Sequence, residues 1–229
     1  RYIAMLILFV DNACFWALFE QSGSSMNFFA REFVTPVWGS MESWQAGGFG
    51  IFQSLNPLYI LLFAPLFAMI WPWLDKRNIN PSIPRKFALG LIQVALGFLV
   101  LVWAINNFQN AAGLVPWIFL ALFYLLNTTG ELCLSPIGLS MVTKLAAEKE
   151  TGMAMGGWFL SIAMAQYVAG IIAAIASGGT AGGAHGPAVG ATIGQYADTY
   201  WMLFLVGLGF GIFYLVVAPL INKLMHGVK

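Results

Sequence analysis

Charge is what this sequence has least of. Only 8% of its 229 residues are Asp, Glu, Lys or Arg, where a soluble domain carries roughly 25%. Cysteine is nearly as scarce: Cys14 and Cys133 are the only two, and both stand inside apolar runs. Pairing them would require two helices to bring their Cα atoms close, so both are read as free thiols. HExxH and GxSxG are both absent, and no Cys/His cluster has metal-ligand spacing. His185 and His226 fall in a loop and at the tail. GLGFG (Gly207–Gly211) lies within an apolar helix with no strand before it, which makes it a packing face and not a dinucleotide loop. These absences argue against a soluble enzyme, a disulfide scaffold and a nucleic-acid binder.

Apolar residues are what the chain has instead. They make up 60% of it, 15% are aromatic, and the mean hydropathy is +0.81. A soluble surface could not hide so many Trp and Phe side chains. At about 20 residues per crossing, the length accommodates about six helices. Apolar runs over approximately 3–33, 49–74, 86–106, 115–145, 152–177 and 200–224 predict them. The expected fold is all-α, a polytopic membrane protein forming one bundle over residues 1–229. Between the fifth and sixth runs, SGGTAGGAHGPAVGATIG (Ser177–Gly194) reads as a flexible loop. The chain begins Arg-Tyr with no Met and no cleavable signal pattern, as an internal fragment would.

The few charges fall into two groups. Arg1, Lys76, Arg77, Arg85, Lys86, Lys144, Lys149, Lys223 and Lys229 occupy the termini and even-numbered loops, while the other side has Arg31. Such a bias places both ends in the cytoplasm. Trp71, Trp73, Trp117 and Trp201 lie near the expected interfaces, as anchoring aromatics do.

The second group is acidic and lies within the spans: Asp11, Glu20 and Glu131. A charge at mid-membrane costs about 2.5–3.5 kcal/mol on insertion scales, so each of these acids needs a reason. No Lys or Arg shares the depth of Glu131. It must be protonated, face water, or meet a cation supplied by a ligand or another polypeptide. Asp11, nearer the cytoplasmic end, is expected to pair with loop cations. Asn12, Trp16, Glu20, Gly23 and Asn27 recur at helical spacing and predict a polar stripe on the first span. In the second, Asn56 precedes Pro57, with Pro65 and Pro72 further along, a pattern of kinked segments beside a cavity. Asn56 is therefore either a ligand contact or an interhelical hydrogen bond. Asn127, Glu131 and Ser135 form a second stripe, ending at Pro136. GMAMGGWFL (Gly152–Leu160) offers small residues for close packing, with Trp158 two turns in.

Three stretches resemble the proton-dependent oligopeptide transporter family of the major facilitator superfamily. They are FWALFEQSGSSMNFFA (Phe15–Ala30), FQSLNPLYILLFAPLFAMIW (Phe52–Trp71) and GELCLSPIGLSMVTKLA (Gly130–Ala146), the last being the most specific. The resemblance implies that the chain is the C-terminal half, helices seven to twelve, of a twelve-helix fold. It also implies a bacterial inner-membrane symporter that carries di- and tripeptides with protons by alternating access, without a further cofactor. Its partners would then be peptides, protons, lipid and the missing N-terminal six-helix half.

On the same resemblance, Glu131 receives the peptide amino group and takes part in proton coupling, with Asn56 and Ser135 beside it. Trp16, Glu20 and Trp158 line the cavity. Leu139 and Met155 close the cytoplasmic gate, and Arg31-Glu32 stands where relatives place an acidic outer-gate residue. The family's ExxER motif and its first-half Lys and Arg groups are absent from this sequence. Two other readings stand beside this one. The same fold could carry nitrate or a peptide-like compound, or the chain could be a stand-alone six-helix assembly or regulatory protein. A membrane enzyme would need Asp11, Glu20 and Glu131 to converge.

Overall fold

The computed structural model describes residues 2–176 and 192–225. Among the described residues, six helical segments are long and apolar enough to cross a membrane: Tyr2–Phe33, Gly48–Lys76, Ile83–Asn107, Trp117–Leu145, Glu148–Ala176 and Ile193–Leu224. The first comprises α1 (Tyr2–Phe19), a 3-10 turn at Glu20–Ser22, and α2 (Ser25–Phe33). A short helix, α3 (Met41–Gln45), follows behind a Ser40 capping box. A 3-10 segment, Gly48–Ser54, then leads into α4 (Leu55–Lys76). The remaining helices are α5 (Ile83–Asn107), α6 (Trp117–Leu145), α7 (Thr151–Ala176) and α8 (Ile193–Leu224).

Contacts between loops fix which ends lie together. After the first span, Thr35 N–H donates to the Val115 carbonyl at 2.9 Å, and Val115 N–H donates to the Phe33 carbonyl at 2.7 Å. The loops after spans one and three therefore meet at one end. At the other end, the Tyr2 hydroxyl donates to Glu150, just ahead of α7. Here too Arg77 lies 4.1 Å over the Trp73 ring and Lys86 lies 4.3 Å over Trp71. Lys86 on Trp71 joins α5 to α4, while Arg77 on Trp73 closes the end of α4, both where the sequence concentrates its cations.

The core forms around α5, which packs against α6 and α8, while α1 packs on α7 and α4 on α6. Close approach depends on missing side chains. A Cβ on Gly90 would stand 2.9 Å from the Gly130 carbonyl oxygen, and one on Gly130 would stand 2.8 Å from that of Gly90. The two backbones thus touch where α5 crosses α6. Gly207 and Gly211 press on Leu18 and Ala95, and on Ile92, so the GLGFG run is the packing face its sequence suggested. Helix α4 buries none of its residues within these six helices, and Leu61, Val216 and Leu220 are among the large apolar side chains left exposed, as lipid or a further bundle requires.

Several sequence expectations change. The stripe of Asn12, Trp16, Glu20, Gly23 and Asn27 does not run along one continuous helix, because the first span unwinds between Glu20 and Ser24. Among the described residues Asp11 does not pair with loop cations: it is fully buried and neither carboxylate oxygen has a hydrogen-bond partner there. Lys86 lies in the first turn of α5, 7% exposed, because the helix starts at Ile83 with Pro84 in its opening turn. The sixth span starts at Ile193, before the expected Tyr200, behind a Thr192–Gln195 capping box. Cys14 and Cys133 are free thiols. Most of the loop expected at Ser177–Gly194, His185 included, lies outside the described residues, as do Arg1, His226 and Lys229.

Candidate functional site

Glu131 stands at the midpoint of α6, with fourteen residues on either side. Lys144, the basic residue of that helix, is thirteen positions on, about 20 Å along the axis. Across from Glu131, Asn56 occupies the first turn of α4, where Pro57 is tolerated because first-turn N–H groups have no intrahelical acceptor. The Asn56 amide donates to Glu131 Oε2 at 2.9 Å and to Thr128 Oγ1 at 3.2 Å. Thr128 in turn donates to the Tyr124 carbonyl at 2.8 Å, which aims its oxygen lone pairs at Asn56. One amide therefore holds both the acid and the turn of helix below it. Asn56 and Glu131 are each only half-buried, so this pair is not sealed within the six helices.

The unwound step in the first span lies beside that pair. Its freed carbonyls need donors, which the membrane interior does not supply. The Ser22 carbonyl accepts from Gln53 Nε2 at 2.8 Å and from the Tyr124 hydroxyl at 2.7 Å. Gln53 also donates to Asn27 Oδ1 at 2.7 Å and to the Tyr124 hydroxyl oxygen at 3.1 Å. Asn127 reaches the Phe19 carbonyl at 3.4 Å, while Gln21 reaches those of Ala17 and Ala169, both at 3.2 Å. The polar side chains of four elements thus hold the break open. Two sets of hydrogen bonds result, Ser22, Gln53, Asn27 and the Tyr124 hydroxyl at the break and Thr128, Asn56 and Glu131 beside it, with Thr128 tied to Tyr124 through that residue's backbone carbonyl.

The structure brings some of the expected site residues together and leaves others apart. Glu20 comes near enough to Glu131 for their charges to interact, and Gln166 Nε2 donates to Glu20 Oε1 at 3.3 Å. Trp16 is half-buried one turn before Glu20, its indole N–H on Asn12 Oδ1 at 3.0 Å. Ser135 is half-buried one turn beyond Glu131. Trp158, by contrast, is 2% exposed, wedged against Gly138 and edge-on to Phe9 and Phe87. Leu139 is exposed and Met155 half-buried, on α6 and α7 respectively. Glu32 pairs with its neighbour Arg31 at 3.3 Å and accepts from Gln45 at 3.4 Å. Asp11 is fully buried, whereas Glu20 and Glu131 are half-buried.

Gln53, Tyr124, Thr128 and Gln166 are the members that the sequence reading did not single out. Tyr124 and Thr128 continue the stripe of Glu131 at seven and three residues' distance, and Gln53 precedes Asn56 by three. Those spacings were available, but a Tyr or Thr in an apolar helix reads as packing until its partner is known. Chemically, the site offers a carboxylate in a largely apolar surround, oriented by one amide, with a second carboxylate nearby. Such a set can receive a compact cation of ligand size, and it can hold a proton in the cation's place.

Residues 1–192 match the model of the POT family. The chain is 39% identical over 176 residues to the peptide transporter YePEPT of Yersinia enterocolitica subsp. palearctica, covering 75% of this chain and 33% of that protein. It is 32% identical over 226 residues to dipeptide and tripeptide permease B of Aeromonas hydrophila, covering 98% and 43%. Its fold matches a crystal structure of a variant of the peptide transporter POT in complex with alafosfalin, with a TM-score of 0.79 and 34% identity. That match covers 98% of this chain and 42% of the solved one. The chain therefore spans less than half the length of these relatives. With its six apolar helices, it is an integral membrane protein, and it belongs to the POT family.

Proposed function

We propose that this chain is the C-terminal six-helix half of a proton-coupled symporter of di- and tripeptides, working by alternating access in the bacterial cytoplasmic membrane. The observation that carries the reading is the Asn56–Glu131 pair: an oriented, half-buried acid whose helix offers its nearest basic residue about 20 Å away. A short peptide brings an ammonium group at one end. Ionised Glu131 accepts its N–H donors, while Asn56 keeps the carboxylate pointed at them. When Glu131 takes up a proton, the charge that holds the ammonium is gone and the peptide is released. The peptide's carboxylate needs cations that these spans do not place at that depth, and the partner half is where they would stand. Relatives named as peptide transporters and permeases support the substrate class.

Both ends of this segment are taken as cytoplasmic, since nine of the ten basic residues lie at that end. Rocking of the two halves would then expose Glu131 to each side in turn. The test is uptake of a labelled dipeptide by the full-length transporter in vesicles with an imposed proton gradient. Unlabelled di- and tripeptides should compete, and free amino acids and nitrate should not. Glu131→Gln should abolish gradient-driven accumulation. Competition by nitrate alone would move the cargo to another small solute, and native accumulation by the variant would remove Glu131 from coupling.

A further inference from the structure

Asp11 takes no part in the site just described, yet it is fully buried. Neither of its carboxylate oxygens has a hydrogen-bond partner among the described residues. It lies nine residues into α1, about 14 Å along the axis from Tyr2, and so well inside the span. Its burial is complete within these six helices. A partner half can cover Glu131, but it cannot reach Asp11.

The neighbours of Asp11 are already committed. Asn12 donates to Ser161 Oγ at 2.8 Å and accepts from Trp16. The Tyr214 hydroxyl, on α8, donates to the Ile7 carbonyl at 3.1 Å. The titratable side chains on the adjoining turns are Cys14, three residues further along α1, and Tyr214, bonded one turn before Asp11. Neither is a cation. Helix α7 contributes no charged residue at all. On α5 the basic pair Arg85 and Lys86 stands in the first turn, with Lys86 over Trp71. The charged residues of α6 are Glu131 at mid-helix and Lys144 in the last turn, and those of α8, Asp198 and Lys223, lie towards its ends.

An ionised carboxylate with no donor and no cation is not tolerated in such a place, so the group must be neutral there. A neutral acid is one that already carries a proton. We propose that Asp11 is a second proton-binding site of the transporter, loaded in this conformation and separate from Glu131, which releases its proton when span one moves against α8 and admits water. The coupling part of this inference rests on the symport reading; the protonated state does not.

The experiment uses the full-length transporter with Asp11→Asn, which keeps the shape and neutrality of the protonated acid. Infrared spectroscopy should show the C=O stretch of a protonated carboxyl in the wild type, and the variant should lack that band. Gradient-driven dipeptide accumulation should fall about tenfold in Asp11→Asn, in the range of measured coupling between sites, while peptide counterflow stays within about twofold. Unchanged accumulation would overturn the proposal, because the acid would then be a permanent structural filler. Loss of counterflow in a folded variant would overturn it too, placing Asp11 in peptide binding. Where Asp11→Asn does not fold, Asp11→Glu should retain accumulation and shift the infrared band; an unshifted band refutes the assignment. If the wild type shows no gradient-driven uptake, the symport reading has failed, and the infrared band still reports on Asp11.

Discussion

Replacing Gly130 with Ala tests the packing that carries Glu131. The added Cβ would lie 2.8 Å from the Gly90 carbonyl oxygen, 3.3 Å from Val94 Cγ2 and 3.5 Å from Gln93 Cβ. Carbon–oxygen contacts ordinarily settle at about 3.3–3.6 Å, so the two helices must part by roughly half an ångström. The obstructing atom is backbone and cannot rotate away. Overpacking of this kind costs about 1–3 kcal/mol, and Ala returns about 0.5–1 kcal/mol over Gly in a helix interior. A net loss of about 0–2.5 kcal/mol follows, with about 1 kcal/mol, a factor of about 5 in the folded population, near its middle. The assay is thermal unfolding of the purified full-length transporter, with Gly209→Ala as the control, because a Cβ there meets nothing within 4 Å. Gly130→Ala should melt below the wild type and Gly209→Ala at or above it. Because Glu131 is the next residue, dipeptide affinity should fall along with stability. A Gly130→Ala protein that melts at or above the wild type would refute the close crossing of α5 and α6.

Two further outcomes follow from the same geometry. Tyr124→Phe removes the donor to the Ser22 carbonyl and an acceptor for Gln53. It should lower stability by about 0.5–1.5 kcal/mol in a thermal melt and slow dipeptide uptake, because the Ser22 carbonyl at the break loses one of its two donors. Cys133 is 3% exposed and accepts from Gln93 at 3.3 Å, so maleimide should label it slowly in the native transporter and quickly after denaturation.

The six crossings were legible because each is a long apolar run bounded by polar or proline-containing turns, and such runs have one use. Their charged ends were equally plain. The break at Glu20–Ser24 was not, since Gly23, Ser24 and Ser25 are compatible with an unbroken membrane helix. What opens it is a set of donors from elsewhere in the sequence, among them Gln53, Tyr124 and Asn127. Asp11 was misjudged for a related reason: helical position gives depth along a span, but not which side is sealed by α7 and α8. The early start of α8 was written in Thr192 and Gln195, a capping box hidden at the edge of a Gly/Ala-rich stretch. Glu131 was identified because an acid without a cation is conspicuous in an apolar helix. Its orienting partner could be narrowed to Asn56 only as one of two readings, and the structure supplies the bond.

The central claim is that Glu131 is the counter-charge for a peptide's amino terminus. Its most direct test is the affinity of the full-length transporter for a dipeptide and for the same dipeptide N-acetylated, in wild type and in Glu131→Gln. A hydrogen bond to a charged group contributes about 1.5–3 kcal/mol, so the wild type should prefer the free amine by about 10–150-fold. The variant should bind the two alike. A Glu131→Gln transporter that kept the full preference for the free amine would contradict the account.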